Sequence, residues 1–370
     1  MSWRSASRHT NGMPTLLRRM GAAALGLVTA VAMTACGSGD PETTEITIVS
    51  STNVYGSVAK VIAGNYAKIT SIIDDPTADP HSYEASPQDI AKLQDADIVI
   101  VNGGGYDQFA VNALEKTPSD KIINAYNFLS GDTDVDEVPP SLDAVGNPIK
   151  EEQKGGDDDH AAVEDAASTA ASISAEAEAD EEAHGHHHHH DSTAPNEHVF
   201  YNVDVIEDVA DSLAQKLAAL DPTNEVTYKA NLDDFSNGLK KIRTILGKIA
   251  DQKPSATYVQ TEPLATFLAA SADMENITPP GYAEAIEEGS DVPAVLVAHM
   301  QDLLQEDKPD VFLFNVQNAN KTTQEARKLA QQNDVPVLKL TETLPSGKDY
   351  ITWMLENATA LAEALHVNLK

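Results

Sequence analysis

The chain has one cysteine, Cys36, in 370 residues, so no intrachain disulfide can form and the fold must be held by its core. Basic residues are also scarce. There are 25 Lys and Arg against 58 Asp and Glu, for a formal net charge of −33. A surface this acidic repels nucleic acid and anionic lipid and attracts cations. Several motifs are missing: no G-x-S-x-G, no H-E-x-x-H and no C-x-x-C. The segment "VNGGGYDQ" (101–108) follows a strand pattern, but it lacks the Lys-Ser/Thr of a P-loop and the third glycine of a dinucleotide fingerprint. It reads as a strand-end turn beside a cleft.

The first residues stand apart from the rest. Arg4, Arg8, Arg18 and Arg19 precede "MGAAALGLVTAVAMTAC" (20–36), which is too short and too rich in Ala and Gly for a stable membrane span but suits a signal-peptide core. The run ends at Cys36 in "MTACGSGD", a segment similar to a bacterial lipobox, in which the cysteine is lipidated and becomes the mature N-terminus. Residues 1–35 are therefore expected to be a signal peptide, and 36–44 a polar tether to an extracytoplasmic membrane anchor. Without the signal, the chain keeps 21 basic and 58 acidic residues.

From residue 45 onward, strand and helix patterns alternate. "EITIVSS", "KITSIID", "DIVIVNGGG" and "KIINAY" read as strands with helices between them. The pattern stops from about 130 to 197, where 151–191 contains thirteen acids and one lysine and almost no large apolar residue. That composition cannot offset its ordering entropy, so an acidic, His-rich disordered insert is expected. Order resumes at "NEHVFYNVDVIEDVADSLAQKLAALDP", with Val209, Leu213, Leu217 and Leu220 on one helical face. Next, Leu232, Phe235, Leu239, Ile242, Leu246 and Ile249 recur in steps of three and four, which predicts a long amphipathic helix over 223–250. Strands are expected again at "ATYVQ", "DVFLFN" and "VPVLKL", and a final helix at "DYITWMLENATALAEAL". The predicted fold is α/β: an N-terminal lobe (45–222) and a C-terminal lobe (251–370), each a parallel β-sheet flanked by helices, joined by one long rigid helix.

Ligands of open α/β sheets bind beyond the carboxyl ends of the strands. The metal-capable residues at such places are His81 in "DPTADPHSYEASP", His198 in "NEHVFY", Glu262 in the Thr261-Glu262-Pro263 that follows "ATYVQ" and Glu342 in the Thr341-Glu342-Thr343 that follows "VPVLKL". A single His or Glu in a loop is ordinarily just solvated. Four at equivalent places fit a divalent-metal site and scattered surface residues about equally well. His299, within a helix, and His366, near the C-terminus, read as packing or surface residues. Glu284, Glu287 and Glu288 read as a solvated face that a partner could touch.

"DPHSYEASPQDIAKLQDADIVIVNGGGYD", "NEHVFYNVDVIEDVADSLAQKLAALDP", "YVQTEPLATFLAASADM" and "KLTETLPSGKDY" together resemble the cluster A-I metal-binding solute-binding proteins of zinc and manganese ABC transporters. The resemblance runs over nearly all of 45–370 except the insert. Ala85 departs from it, standing where proline is usual. The resemblance implies metal ligands at His81, His198, Glu262 and Glu342, with glutamate at a third position that is histidine in many zinc members. Two imidazoles and two carboxylates would make a filled site formally neutral. It also implies two lobes joined by a long helix, capture of Zn²⁺ or alternatively Mn²⁺, and delivery to an ABC permease by a monomer, without catalysis. Zn²⁺ is preferred because it outranks Mn²⁺ at most nitrogen and oxygen sites. Family members also resemble this chain in carrying a His-rich loop before the second histidine ligand. Here that loop holds His160, His184, His186, His187, His188, His189 and His190, and the expectation is that it scavenges metal rather than being a spacer or an inserted tag. Two readings from other classes remain: a metal-dependent hydrolase, if a coordination position stays open, and a surface adhesin.

Overall fold

The computed structural model describes residues 45–130 and 196–370. The signal peptide, the lipidation site Cys36, the tether and the auxiliary histidines His160, His184 and His186 to His190 lie outside the described residues.

The first sheet is built from β1 (Ile46–Thr52), β2 (Ala67–Ile73), β3 (Ile98–Val101) and β4 (Ile122–Asn124), all parallel, in the order β2-β1-β3-β4. The second repeats that plan. β5 (Thr257–Gln260), β6 (Glu275–Asn276), β7 (Val311–Asn315) and β8 (Val337–Leu340) run parallel in the order β6-β5-β7-β8. In both sheets the chain turns outward after its second strand and then crosses to the other side of its first. This reversal opens a crevice at the strands' carboxyl ends.

The two lobes also share side-chain devices. The Thr47 amide and hydroxyl each donate to Asp97 at 2.8 Å, tying the start of β1 to the start of β3. At the matching place, the Thr257 amide and hydroxyl donate to Asp310 at 2.8 and 3.1 Å. Each third strand leads into a buried asparagine, Asn102 after β3 and Asn315 at the end of β7.

Local chemistry explains most element ends. Helix α1 (Asn53–Ala63) stops at Gly64, whose φ of 58° ends the helix where a side chain would be strained. Helix α2 (Pro87–Asp95) starts in a full capping box between Ser86 and Asp89, with Pro87 in the first turn. Helix α3 (Gln108–Ala113) follows the glycine turn after β3. Helix α4 (Val203–Leu220) is capped by the Asn202 side chain. It buries Val209, Leu213 and Leu217 but leaves Leu220 half exposed, because the last turn runs past the core.

Helix α5 (Glu225–Gln252) follows a short 3₁₀ turn at Pro222–Asn224. Its 28 residues reach about 42 Å at the usual rise. Phe235, Leu239, Ile242, Leu246 and Ile249 are buried along one stripe. That stripe packs on α1 and α4 of the first lobe and on the closing helix α10 (Tyr350–Ala364) of the second. Gly238 permits the close approach, since a Cβ there would meet Ile351 at 2.9 Å. One continuous apolar core therefore runs from β1 through α5 to α10. Among the described residues no helix is long and apolar enough to cross a membrane.

Candidate metal site

The site lies where the strand-end loops of the two sheets meet. His81 stands in the 74–86 loop after β2, fixed by its amide donating to Asp79 Oδ1 at 2.9 Å. That loop is tied to the opposite lobe. Gln317 Nε2 donates to the carbonyls of Pro76 (3.2 Å) and Ala78 (3.3 Å), and the Thr343 hydroxyl donates to the Pro76 carbonyl at 3.0 Å. The glycine turn after β3 brings Tyr106 into the crevice, with Gly103 and Gly104 at φ of 76° and 67°. The Tyr106 ring meets His81 edge-on at 5.0 Å and His198 at 5.7 Å. Its hydroxyl donates to the Glu342 carbonyl at 3.2 Å.

His198 is almost wholly buried just ahead of a 3₁₀ turn at Val199–Tyr201. Asn196 Oδ1 accepts from both the His198 amide and His198 Nδ1, each at 2.9 Å. Because an amide oxygen only accepts, Nδ1 carries the proton and Nε2 presents its lone pair to the crevice. Asn196 Nδ2 donates across to the Pro263 carbonyl in the second lobe. Asn196 and Glu197, which sequence composition had placed in the insert, are thus part of the site wall, and Glu197 is buried.

The second lobe supplies carboxylates. Glu262 and Glu342 each stand two residues past the end of a strand, β5 and β8, and both are buried. Asn315 Nδ2 donates to both, to Glu342 Oε1 at 2.6 Å and to Glu262 Oε2, while Asn318 Nδ2 donates to Glu262 Oε1. Gln317 Oε1 receives the Glu342 amide. Buried Tyr201 donates to the Thr341 carbonyl at 2.9 Å, and Asn53 exchanges two hydrogen bonds with the Leu344 backbone. First-lobe side chains therefore hold the loop that carries Glu342.

His81, His198 and Glu342 bring one ligand atom each within 4.8 Å of one another. His81 Nε2 lies 3.6 Å from Glu342 Oε2. Glu262, the fourth residue of the sequence-derived set, is not in that group; it joins it through the shared Asn315 amide. His299 and His366 are exposed.

Two residues were missed. Glu287, expected on a solvated face, is instead tucked against the crevice with a side chain only 10% exposed. It ends helix α7 (Tyr282–Glu287), which follows the two-residue strand β6, and so short a strand leaves no periodicity to mark its loop as a strand end. Glu287 Oε1 lies 3.7 Å from His198 Nε2 and 3.9 Å from His81 Nε2. Glu197 Oε1 lies 3.5 Å from His81 Nδ1, and His81, Glu197 and Glu287 form a second close donor group. Its only sequence signal was adjacency to His198. Four carboxyl groups, rather than two, therefore surround the two imidazoles.

The electrostatics follow from crowding. Burial lifts the Glu262 carboxyl to about 7, against the hydrogen bonds from Asn315 and Asn318. Burial likewise raises Glu197 to about 7. Glu342 is held well above the ordinary carboxyl range by burial and then by Glu262, and Glu287 by burial and then by Glu197. Carboxylates gathered out of water are poised to take up a cation or a proton.

Comparison with known proteins points the same way. The family described as zinc-uptake complex component A, periplasmic (ZnuA), matches residues 48–364. The manganese-binding lipoprotein MntA of Halalkalibacterium halodurans is 34% identical over 140 residues, a stretch that covers 36% of this chain and only 40% of MntA. The manganese ABC transporter substrate-binding lipoprotein PsaA of Streptococcus pneumoniae is 22% identical over 373 residues, 94% of this chain and 99% of PsaA. A metal-free mutant of a periplasmic metal binding protein from Candidatus Liberibacter asiaticus shares the fold, with a TM-score of 0.57 and 16% identity over 86% of this chain and 99% of that one.

Proposed function

Because the chain belongs to the zinc-uptake complex component A family, we propose that it captures a divalent transition metal between its lobes and hands it to an ABC permease. It is a solute-binding protein, not an enzyme. The observation that carries the reading is the convergence of His81, His198 and Glu342 from three separate loops of two lobes. Glu262 is the fourth proposed ligand, brought beside Glu342 by Asn315.

The chemistry is coordination. The imidazole nitrogens and carboxylates bind metal only when deprotonated, so affinity falls in acid. The shared core across α5 and α10 supports small loop adjustments on binding rather than a wide hinge. The metal is proposed to be Zn²⁺, on its rank at nitrogen and oxygen sites and on the His-rich segment ahead of His198. A manganese reading is favoured by the excess of carboxylates in the crevice and by the manganese-binding names of MntA and PsaA. Lipid anchoring through Cys36, action as a monomer, and auxiliary metal capture by His160, His184 and His186 to His190 belong to the same proposal.

The test is metal content after purification without chelation steps, followed by competitive Zn²⁺ and Mn²⁺ titration of a form lacking 155–192. Tight binding of at least one ion, unchanged by the deletion, is expected. Failure to hold either ion ends the reading.

A further inference from the structure

Glu197 and Glu287 stand in the crevice outside the four-ligand set, and their geometries differ. Glu197 faces His81 Nδ1 at 3.5 Å, on the side of the ring away from Glu342. That is where a carboxylate orients a metal-binding imidazole rather than touching the ion. Glu287 instead faces the nitrogens turned toward the crevice, with Oε1 at 3.7 Å from His198 Nε2 and 3.9 Å from His81 Nε2.

Those separations fit a ligand. In a tetrahedral site with bonds of ~2.1 Å, neighbouring ligand atoms are about 3.4 Å apart. His81 Nε2 and Glu342 Oε2, a pair already assigned to the ion, are 3.6 Å apart. Glu287 keeps nearly the same spacing from two imidazoles at once. Its other oxygen, Oε2, is buried with no hydrogen-bond partner among the described residues. No Lys or Arg pairs with its carboxylate among the described residues, where its ion-pair contacts are the two histidines. Its other close neighbour is the Glu197 carboxyl, so among the described residues no cationic Lys or Arg offsets its removal from water, and a bound cation would.

We propose that Glu287 is a further direct ligand of the captured ion and the residue that lets the site accept Mn²⁺ as well as Zn²⁺. The inference rests on the metal-capture reading above. Zn²⁺ is satisfied by four ligands, whereas Mn²⁺ prefers more oxygen donors and higher coordination. A fifth protein donor, and a carboxylate at that, shifts the balance toward manganese.

The experiment is titration of the metal-free, full-length protein and its Glu287→Gln and Glu287→Asp variants with Mn²⁺ and with Zn²⁺. Glu287→Gln should lower Mn²⁺ affinity by about 100-fold and Zn²⁺ affinity by less than about 10-fold. Glu287→Asp keeps the anionic carboxylate that the neutral amide of Gln lacks and should recover part of the Mn²⁺ affinity. Co²⁺ loading gives an independent readout. The wild type should show the weak visible absorption of a higher-coordinate ion, and Glu287→Gln the stronger band of a four-coordinate one. Equal losses for both ions, no loss for either, or identical Co²⁺ spectra would overturn the inference. A wild type that binds neither ion would instead bring down the metal-capture reading beneath it.

Discussion

The two lobes are built on one plan and do different chemistry. Both use the same strand order, both tie their first strand to their third with a Thr–Asp pair, and both set a buried asparagine where the third strand ends. Yet the first lobe offers both imidazoles, His81 and His198, with the single carboxylate Glu197, while the second offers carboxylates alone, Glu262, Glu287 and Glu342. Even the paired asparagines differ in use. Asn102 accepts from the Tyr55 hydroxyl and donates to the Glu197 carbonyl, serving backbone and core. Asn315 donates to two glutamates that would otherwise repel each other. The repeated parts are the scaffold, and the chemistry is in the loops the scaffold leaves free to vary.

The comparison breaks most severely if the first lobe loses its imidazoles. The His81→Ala, His198→Ala double variant should lose tight metal binding, by at least about 1,000-fold in calorimetric titration, because the remaining carboxylates cannot hold a borderline ion alone. Tight binding by that variant would refute the division of labour between the lobes.

The asparagines sharpen it. Asn315→Ala should lower metal affinity by about 10- to 100-fold, since it frees two ligand carboxylates from their shared donor. Asn102→Ala should chiefly cost stability, about 1–3 kcal/mol from groups left unsatisfied in the core. Equal effects on affinity would show that the two positions are not differentiated.

The crowded carboxylates of both lobes should also reveal themselves through pH. Glu197 and Glu262 sit at about 7, and Glu287 and Glu342 are raised as well. Groups whose folded-state pKa exceeds the unfolded value bind more protons when folded. Their contribution to metal-free stability is complete below the ordinary carboxyl range of ~4.3 and is lost as pH rises through about 7. The melting temperature of the metal-free protein should therefore fall between about pH 5 and pH 8, while that of the metal-loaded protein should rise as ligands deprotonate. Calorimetric scans showing parallel trends would argue against a crowded carboxylate site.

The smallest effect concerns what the lobes share. Thr47→Val and Thr257→Val each remove the two hydrogen bonds that a hydroxyl shares with its Asp, and should cost about 1–3 kcal/mol in denaturant melts, with no change in metal affinity. Markedly unequal costs would mean that the repeated latch has been specialised in one lobe.

Much of the architecture was readable in the chain. Alternating strand and helix patterns, the Ser86-Pro87 start and the three-and-four spacing through Phe235 and Ile249 depend on local periodicity and capping, which neighbours in sequence specify. Elements too short to show a period escaped: β6, α7, and helix α6 (Thr266–Ala270) have two, six and five residues. His81, His198, Glu262 and Glu342 were visible because each stands at a strand end or in a family motif. Glu287 was not, because the strand before its helix is a two-residue bridge that exists only by pairing with β5.

The sequence alone decided the α/β class, the long helix, the acidic character and the residue types able to hold a metal, because periodicity, capping and charge are carried by residues close along the chain. Only tertiary structure decided which of those residues share a crevice. That required loops more than a hundred residues apart to be fixed by contacts such as Gln317 to Pro76 and Tyr106 to Glu342, which no local pattern encodes. Burial then turned ordinary glutamates into a cluster that holds protons or a cation unusually well, since the cost of charging them out of water depends on what surrounds them in space.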